Sequence, residues 1–238
     1  MSQWRRYYDI LKQALKVQYR NNPRGIRKMR VFLRYILFGW RKDGNGTEVH
    51  EYAVPKETPK EAKDEKMSDE DKAELKTVKE GLKELIAHLE NMGLLWIPAK
   101  DISINNKLRE DAKLQEVFIN GKSGRFTQIA IATGYWLPIH IDDDIFYTLL
   151  SCFCPSVANA AQCDKILFYF LFPSVGYAIP FCNTDILVLF NSAFPHCASN
   201  YRKEDAITFS LFASAETATA HMSGKGDLFA ESESDDDE

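Results

Sequence analysis

Two short fragments of this chain, His140-Ile141-Asp142 and the stretch Asn183 to His196, together offer two imidazoles and one carboxylate at the spacing of a facial metal triad. Two neutral His nitrogens and one Asp oxygen on one face of Fe(II) leave the opposite face open for a chelating cosubstrate and dioxygen. A His-x-Asp triplet alone is common, so context carries the weight. The chain has five His. His50, His88 and His221 have no such company and read as structural residues.

The elements around these residues read as strands. The first fragment closes an apolar, β-prone run from Phe126 to Ile141, whose pieces Gln128–Ala132 and Trp136–His140 flank a break at Gly134-Tyr135. In the second, a polar turn at Asn183 to Asp185 precedes a five-residue apolar strand, and a further turn leads to His196. With Lys165–Phe172, Gly176–Pro180 and Ala206–Phe212 added, the region from Phe126 to Ala213 is a series of short strands divided by turns. That pattern predicts a small all-β barrel or jelly roll.

These stretches resemble the double-stranded β-helix dioxygenases that use Fe(II) and 2-oxoglutarate. The resemblance covers residues 120 to 225 and rests on Leu137-Pro138-Ile139-His140-Ile141-Asp142, Thr184 to Asn191, Pro195 to Asn200 and Phe209 to Ser214. Within that superfamily the chain looks most like the branch related to ten-eleven translocation and base J-binding oxygenases. The resemblance implies His140, Asp142 and His196 as metal ligands and catalytic residues, Fe(II) as the metal and 2-oxoglutarate as cosubstrate. It also implies a basic anchor for the cosubstrate on or just before the last strand, a position held here by Ala206. Arg202 and Lys203 lie a little earlier, Arg202 being the first choice because a guanidinium pairs bidentately with a carboxylate, and Lys165 is the second possibility. Thr184-Asp185 stands where relatives often have Gly-Asp. Asp143 and Asp144 read as solvated turn residues, with hydrogen bonding to the ligands as the alternative.

The rest of the chain is organised by charge. Residues 1–42 carry twelve Lys or Arg against Asp9 alone, while the whole chain has a net charge of −4. This basic arm is interleaved with aromatics and reads as two helices broken near Asn21-Asn22-Pro23. Tyr7, Ile10, Leu11, Ala14 and Leu15 stripe the first; Ile26, Met29, Val31, Leu33, Ile36 and Leu37 stripe the second. Residues 43–67, with Pro55, Pro59 and alternating Lys and Glu, read as a charged linker. Ser68 with Asp71 opens an amphipathic helix over 68–93, with Leu75, Val78, Leu82, Leu85, Leu89 and Met92 on one face. A strand is expected from Leu94 to Ile97, at the start of an oxygenase core spanning 94–225. The acid-rich tail, 226–238, cannot support a core and reads as disordered.

The expected class is therefore α+β: a double-stranded β-helix, jelly-roll or cupin-like core with N-terminal helices packed on it. Cysteines 152, 154, 163, 182 and 197 are odd in number and lack paired spacing, and no signal-peptide pattern stands before them. Reduced thiols in an intracellular protein of nucleus or cytoplasm, not a secreted one, are expected, with Cys197 beside the distal ligand open to oxidation. No apolar run approaches the roughly twenty residues of a membrane span. The basic arm reads as a helical layer with a solvated face, and its charge with aromatics also suits nucleic acid or an anionic membrane surface. The resemblance together with the arm implies hydroxylation of a C–H bond on a modified or methylated nucleic-acid base such as 5-methylcytosine or thymine. The alternatives are a protein side-chain hydroxylase of prolyl type and a catalytically silent β-helix binding protein, which the missing base at position 206 favours. Nothing in the sequence sets the oligomeric state.

Overall fold

Tyr7, Leu11, Ala14 and Leu15 recur at helical spacing, and Gln3–Asn21 forms helix α1 with all four buried. The computed structural model describes residues 3–21, 34–42, 49–52, 68–93, 119–120, 124–134, 136–145, 147–154, 166–181, 187–199, 206–215 and 217. Helix α2, Asp69–Gly93, opens as expected: the Ser68 hydroxyl accepts from the Asp71 amide at 3.1 Å and the Ser68 carbonyl from the Lys72 amide at 3.0 Å. Its stripe Leu75, Val78, Leu82, Leu85 and Leu89 is buried. The helix packs against α1, and the two form one layer.

Among the described residues ten strands follow in chain order: β1 Arg34–Lys42, β2 Val49–Tyr52, β3 Gln128–Thr133, β4 Leu137–His140, β5 Tyr147–Phe153, β6 Phe168–Phe172, β7 Tyr177–Phe181, β8 Leu187–Asn191, β9 His196–Ala198 and β10 Ile207–Phe212. They make a six-stranded sheet ordered β2-β1-β3-β10-β5-β8 and a four-stranded sheet ordered β4-β9-β6-β7, with every pairing antiparallel. Strands β3 to β10 step back and forth between the sheets, which is the winding of a jelly roll. The six-stranded sheet is apolar on both faces, because each face is covered. On one side Ile129, Ile131, Leu149, Phe153, Phe209 and Leu211 pack under the helices. On the other, Leu150, Cys152, Val188 and Phe190 meet Phe168, Phe170 and Phe181 of the four-stranded sheet.

Three elements depart from the sequence expectation. Arg34–Lys42 is strand β1, not part of a second helix; residues 22–33 lie outside the described residues. Ile36 and Leu37 fit a helical stripe by coincidence, but the segment is rich in aromatic and β-branched residues, and the free edge of β3 supplies backbone partners along Arg34 to Gly39. Ile36 and Phe38, two apart, both reach the core. Gly39 has a φ of 108° and a Cβ there would collide with the Thr127 carbonyl, so only glycine lets β1 follow β3 at this point. Val49–Tyr52, within the expected linker, pairs with β1 as β2. Tyr147–Phe153, singled out by no turn signal, is β5, paired with β10 on one side and β8 on the other. The expected strand at Leu94 and the acidic tail lie outside the described residues.

Candidate metal centre

The site begins with an irregularity in β4. Leu137 pairs with Ala198 and His140 with His196, so three steps along β4 match two along β9. Side chains alternate along a strand, and three steps would put Leu137 and His140 on opposite faces; the extra residue turns both toward the barrel interior. Pro138 lies in this offset, where a missing amide donor is tolerated. The result is that His140 and His196 face each other across the strands with ring centroids 4.1 Å apart.

Asp142 is delivered by the chain beyond β4. Its amide donates to the Ser192 carbonyl at 3.1 Å, and the buried Ser192 hydroxyl donates back to the Asp142 carbonyl at 3.4 Å. Ser192 belongs to the β8–β9 turn, closed by the Phe194 amide on the Asn191 carbonyl at 3.2 Å and the Ala193 amide on Asn191 Oδ1 at 2.9 Å. One turn therefore aims His196 and holds Asp142.

Each imidazole is oriented by its own backbone. His140 Nδ1 lies 2.9 Å from the Pro138 carbonyl and His196 Nδ1 2.9 Å from the Phe194 carbonyl. A carbonyl only accepts, so both Nδ1 atoms carry the proton and both Nε2 lone pairs are left toward Asp142. Asp142 Oδ2 is 3.3 Å from His140 Nε2 and 3.4 Å from His196 Nε2, and the three ligating atoms lie within 4.8 Å of one another. Neighbouring donors on a six-coordinate first-row metal, with bonds of about 2.1 Å, stand about 3 Å apart. Two nitrogens and one oxygen in this arrangement fit a divalent metal such as Fe(II).

The electrostatics agree. Burial works to raise the Asp142 carboxyl, but hydrogen bonds and charge from His140 and His196 overcome it and hold the group well below the usual carboxylate range. Burial works to lower His140, and the hydrogen bond to Asp142 reverses it, so its pKa lies above 6.5. Asp144 accepts from Thr148 Oγ1 at 2.7 Å; burial, aided by the Asp142 charge and opposed by the Thr148 hydrogen bond, pushes it up to about 6. Asp144 is thus tied into the structure rather than a solvated turn residue. Phe170, Phe172 and Phe190 stand around His196, which is only 2% exposed, while the Asp142 side chain is 45% exposed. One side of the centre is walled by aromatics and the other is open.

The residues expected to anchor a cosubstrate are less complete. Ala206 is fully buried and offers no charge. Ile207, Phe209 and Leu211 of β10 point to the helices, so Thr208 points between the sheets, where its buried Oγ1 has no hydrogen-bond partner. That hydroxyl fits a polar ligand, since a buried unsatisfied group otherwise costs about 1–3 kcal/mol. Arg202, Lys203 and Lys165 lie outside the described residues. The described residues that flank them, Ser199, Ala206 and Ile166, all lie at the end of the barrel opposite the triad.

His88 is a packing residue, its ring 5.6 Å from Trp4 and 5.7 Å from Tyr7. Cys197 is buried and burial pushes its thiol up, which opposes the expected ease of oxidation. Sequence reading did not anticipate Ser192, Thr148, Thr208 or the two orienting carbonyls. Pro138 inside a strand was the one available signal, for the bulge.

The fold and this arrangement define a jelly roll with a His-Asp-His cluster at one end. Among solved structures, the chain is similar to NgTET1 in complex with 5mC DNA, with a TM-score of 0.54 and 10% identity over 89% of this chain and 70% of that one. A weaker likeness, with a TM-score of 0.24 and 16% identity over 36% of this chain and 70% of that one, is to an RmlC-like cupin protein from Desulfovibrio desulfuricans. No protein-family model and no curated protein sequence matches the chain.

Proposed function

We propose that this protein is an Fe(II)- and 2-oxoglutarate-dependent oxygenase that hydroxylates a C–H bond, with His140, Asp142 and His196 as metal ligands. The observation that carries the reading is the convergence of three ligating atoms within 4.8 Å at the mouth of a jelly roll. When bound, the metal and cosubstrate supply the oxidising chemistry that turns a substrate C–H into C–OH. The chain's part is positional. The Pro138 and Phe194 carbonyls fix the imidazole tautomers, the β8–β9 turn holds the Asp142 backbone in place while the two imidazoles favour its ionised form, and Phe170, Phe172 and Phe190 keep water from one side. Thr208 and a base from Arg202, Lys203 or Lys165 are the proposed holders of the cosubstrate's distal carboxylate.

The substrate class we favour is a nucleic-acid base. The likeness to NgTET1, whose structure holds 5mC DNA, supports it, as does the exposure of Arg5, Arg6, Lys12 and Lys16 along α1. Arg6 is matched to Glu84 of α2, so part of this charge is neutralised internally. The protein side-chain hydroxylase is served equally by the triad, and uncharged Ala206 favours the silent binding protein. Turnover of 2-oxoglutarate separates an oxygenase from the silent protein: the account expects turnover in the wild type, its loss in His140→Ala and Asp142→Ala with the fold retained, and a large drop in Arg202→Ala. No turnover in the wild type means the silent reading is correct.

A further inference from the structure

His140 and His196 sit on paired strands, but Asp142 belongs to no strand. It lies in the connection from β4 to β5, where the chain leaves the four-stranded sheet for the six-stranded one. A ligand on a strand is placed by the ladder, whereas a ligand on a connection is placed only as well as the backbone on either side of it. The β8–β9 turn holds the Asp142 amide on the Ser192 carbonyl. The far side of the connection is held at Asp144.

The Asp144 backbone forms an isolated antiparallel bridge with Ser214, just beyond β10. Around it the Ile145 amide donates to the Ala213 carbonyl at 2.8 Å and the Ala215 amide to the Asp143 carbonyl at 3.1 Å. Ser214 is fixed in turn, its amide donating to Thr127 Oγ1 at 3.1 Å. The Asp144 side chain adds a second tie, accepting from Thr148 Oγ1 of β5 at 2.7 Å. The Ser192 hydroxyl, already on the Asp142 carbonyl at 3.4 Å, also bonds the Asp144 carboxylate. One residue thus joins the segment after β10, strand β5 and the turn that aims His196.

The tie to Thr148 reaches the wall of the centre. Thr148 is 4% exposed and pairs with Phe190 of β8, so the two side chains share the inner face of the sheet. The Phe190 ring is 4.9 Å from that of His196. Three consecutive aspartates therefore do three things: Asp142 faces the imidazoles, Asp143 is exposed, and Asp144 turns back into the fold.

We propose that Asp144 is a positioning residue for the metal centre, which through Thr148 fixes the β4–β5 connection and keeps the Asp142 carboxylate between the two imidazoles before a metal arrives. The proposal rests on the reading of His140, Asp142 and His196 as metal ligands and is independent of the substrate. Ordering a loose connection at the moment of binding costs affinity, so a connection held beforehand binds the metal more tightly.

The test is binding of Mn(II) alone at neutral pH, beside circular dichroism and the unfolding temperature of the metal-free protein. Thr148→Val removes the hydroxyl donor and leaves every charge in place; it is expected to fold and to bind Mn(II) about tenfold more weakly. Asp144→Asn removes the charge but keeps an acceptor for Thr148, and is expected to bind within about threefold of the wild type. Asp144→Ala cuts the same tie from its other end, so it should match Thr148→Val, and the double variant Asp144→Ala/Thr148→Val should lose no more than either single one. The reverse order, with Asp144→Asn weak and Thr148→Val unchanged, assigns the effect to the Asp144 charge and overturns the proposal. A lowered unfolding temperature with unchanged Mn(II) affinity in Thr148→Val and Asp144→Ala also overturns it, leaving the tie a stabilising contact and the metal reading intact. A wild type that binds no Mn(II) overturns the metal reading and the proposal together.

Discussion

At the residue scale, the centre depends on protonation states that the fold sets before any metal arrives. Folding raises His140 above 6.5, so the stability its imidazolium contributes to the metal-free protein is full below that value and is lost as pH rises through the raised pKa. Asp142 is depressed, so its contribution is present above 3.8 and is lost as pH falls through the lowered pKa. The cluster is thus best satisfied between these ordinary values, with His140 protonated and Asp142 ionised. On the proposed function, metal binding must expel that proton. Affinity for Fe(II), or for redox-inert Mn(II), is therefore expected to weaken about tenfold per pH unit below the His140 pKa. Titrations from about pH 5.5 to 7.5 measure the slope, and flat affinity would show that His140 is not a ligand.

At the element scale, the offset between β4 and β9 decides whether two imidazoles meet. Deleting Ile139 leaves two steps between Leu137 and His140, matching the two between Ala198 and His196, so simple alternation still puts both side chains on the inner face. Because Ile139 is largely exposed, the barrel should still form. The expected outcome is a folded protein by circular dichroism that still binds the metal; lost binding would show that the extra residue itself is needed to position His140. The sequence carried the core strands of the barrel well where turns punctuate them, as at Gly134 before β4 and Asn191 to Pro195 before β9. It carried β1 poorly, because its partner is β3, some ninety residues away in sequence, and no local pattern encodes that pairing. Strand β5 was hidden for another reason: buried on both faces, Thr148 to Phe153 shows neither alternation nor helical period. The triad itself was legible because ligand chemistry admits few residue types. Its supporting carbonyls were not, since backbone groups leave no mark on sequence.

At the scale of the whole molecule, the helices and barrel share one core. Leu11 of α1, Leu85 of α2, Ile36 of β1 and Phe209 of β10 belong to the same buried cluster, and the rings of Trp4 and of Phe153 on β5 have centroids 5.6 Å apart. Leu85→Ala, at a fully buried position, should cost about 2–5 kcal/mol and lower the unfolding temperature of the barrel as well as the helices. Tryptophan fluorescence and near-ultraviolet dichroism should report one transition, and two separated transitions would mean that the helical layer folds independently. No helix among the described residues is long and apolar enough to cross a membrane. The helices instead stiffen the sheet whose other face, with Leu150 and Phe190, lines the interior beside the triad. The measurement that bears most directly on this account is an anaerobic titration with Fe(II) and 2-oxoglutarate, followed by the weak visible charge-transfer band of a chelated cosubstrate. The account predicts a band that saturates in the wild type and is absent in His196→Ala; no band in the wild type, or an undiminished band in the variant, would contradict it.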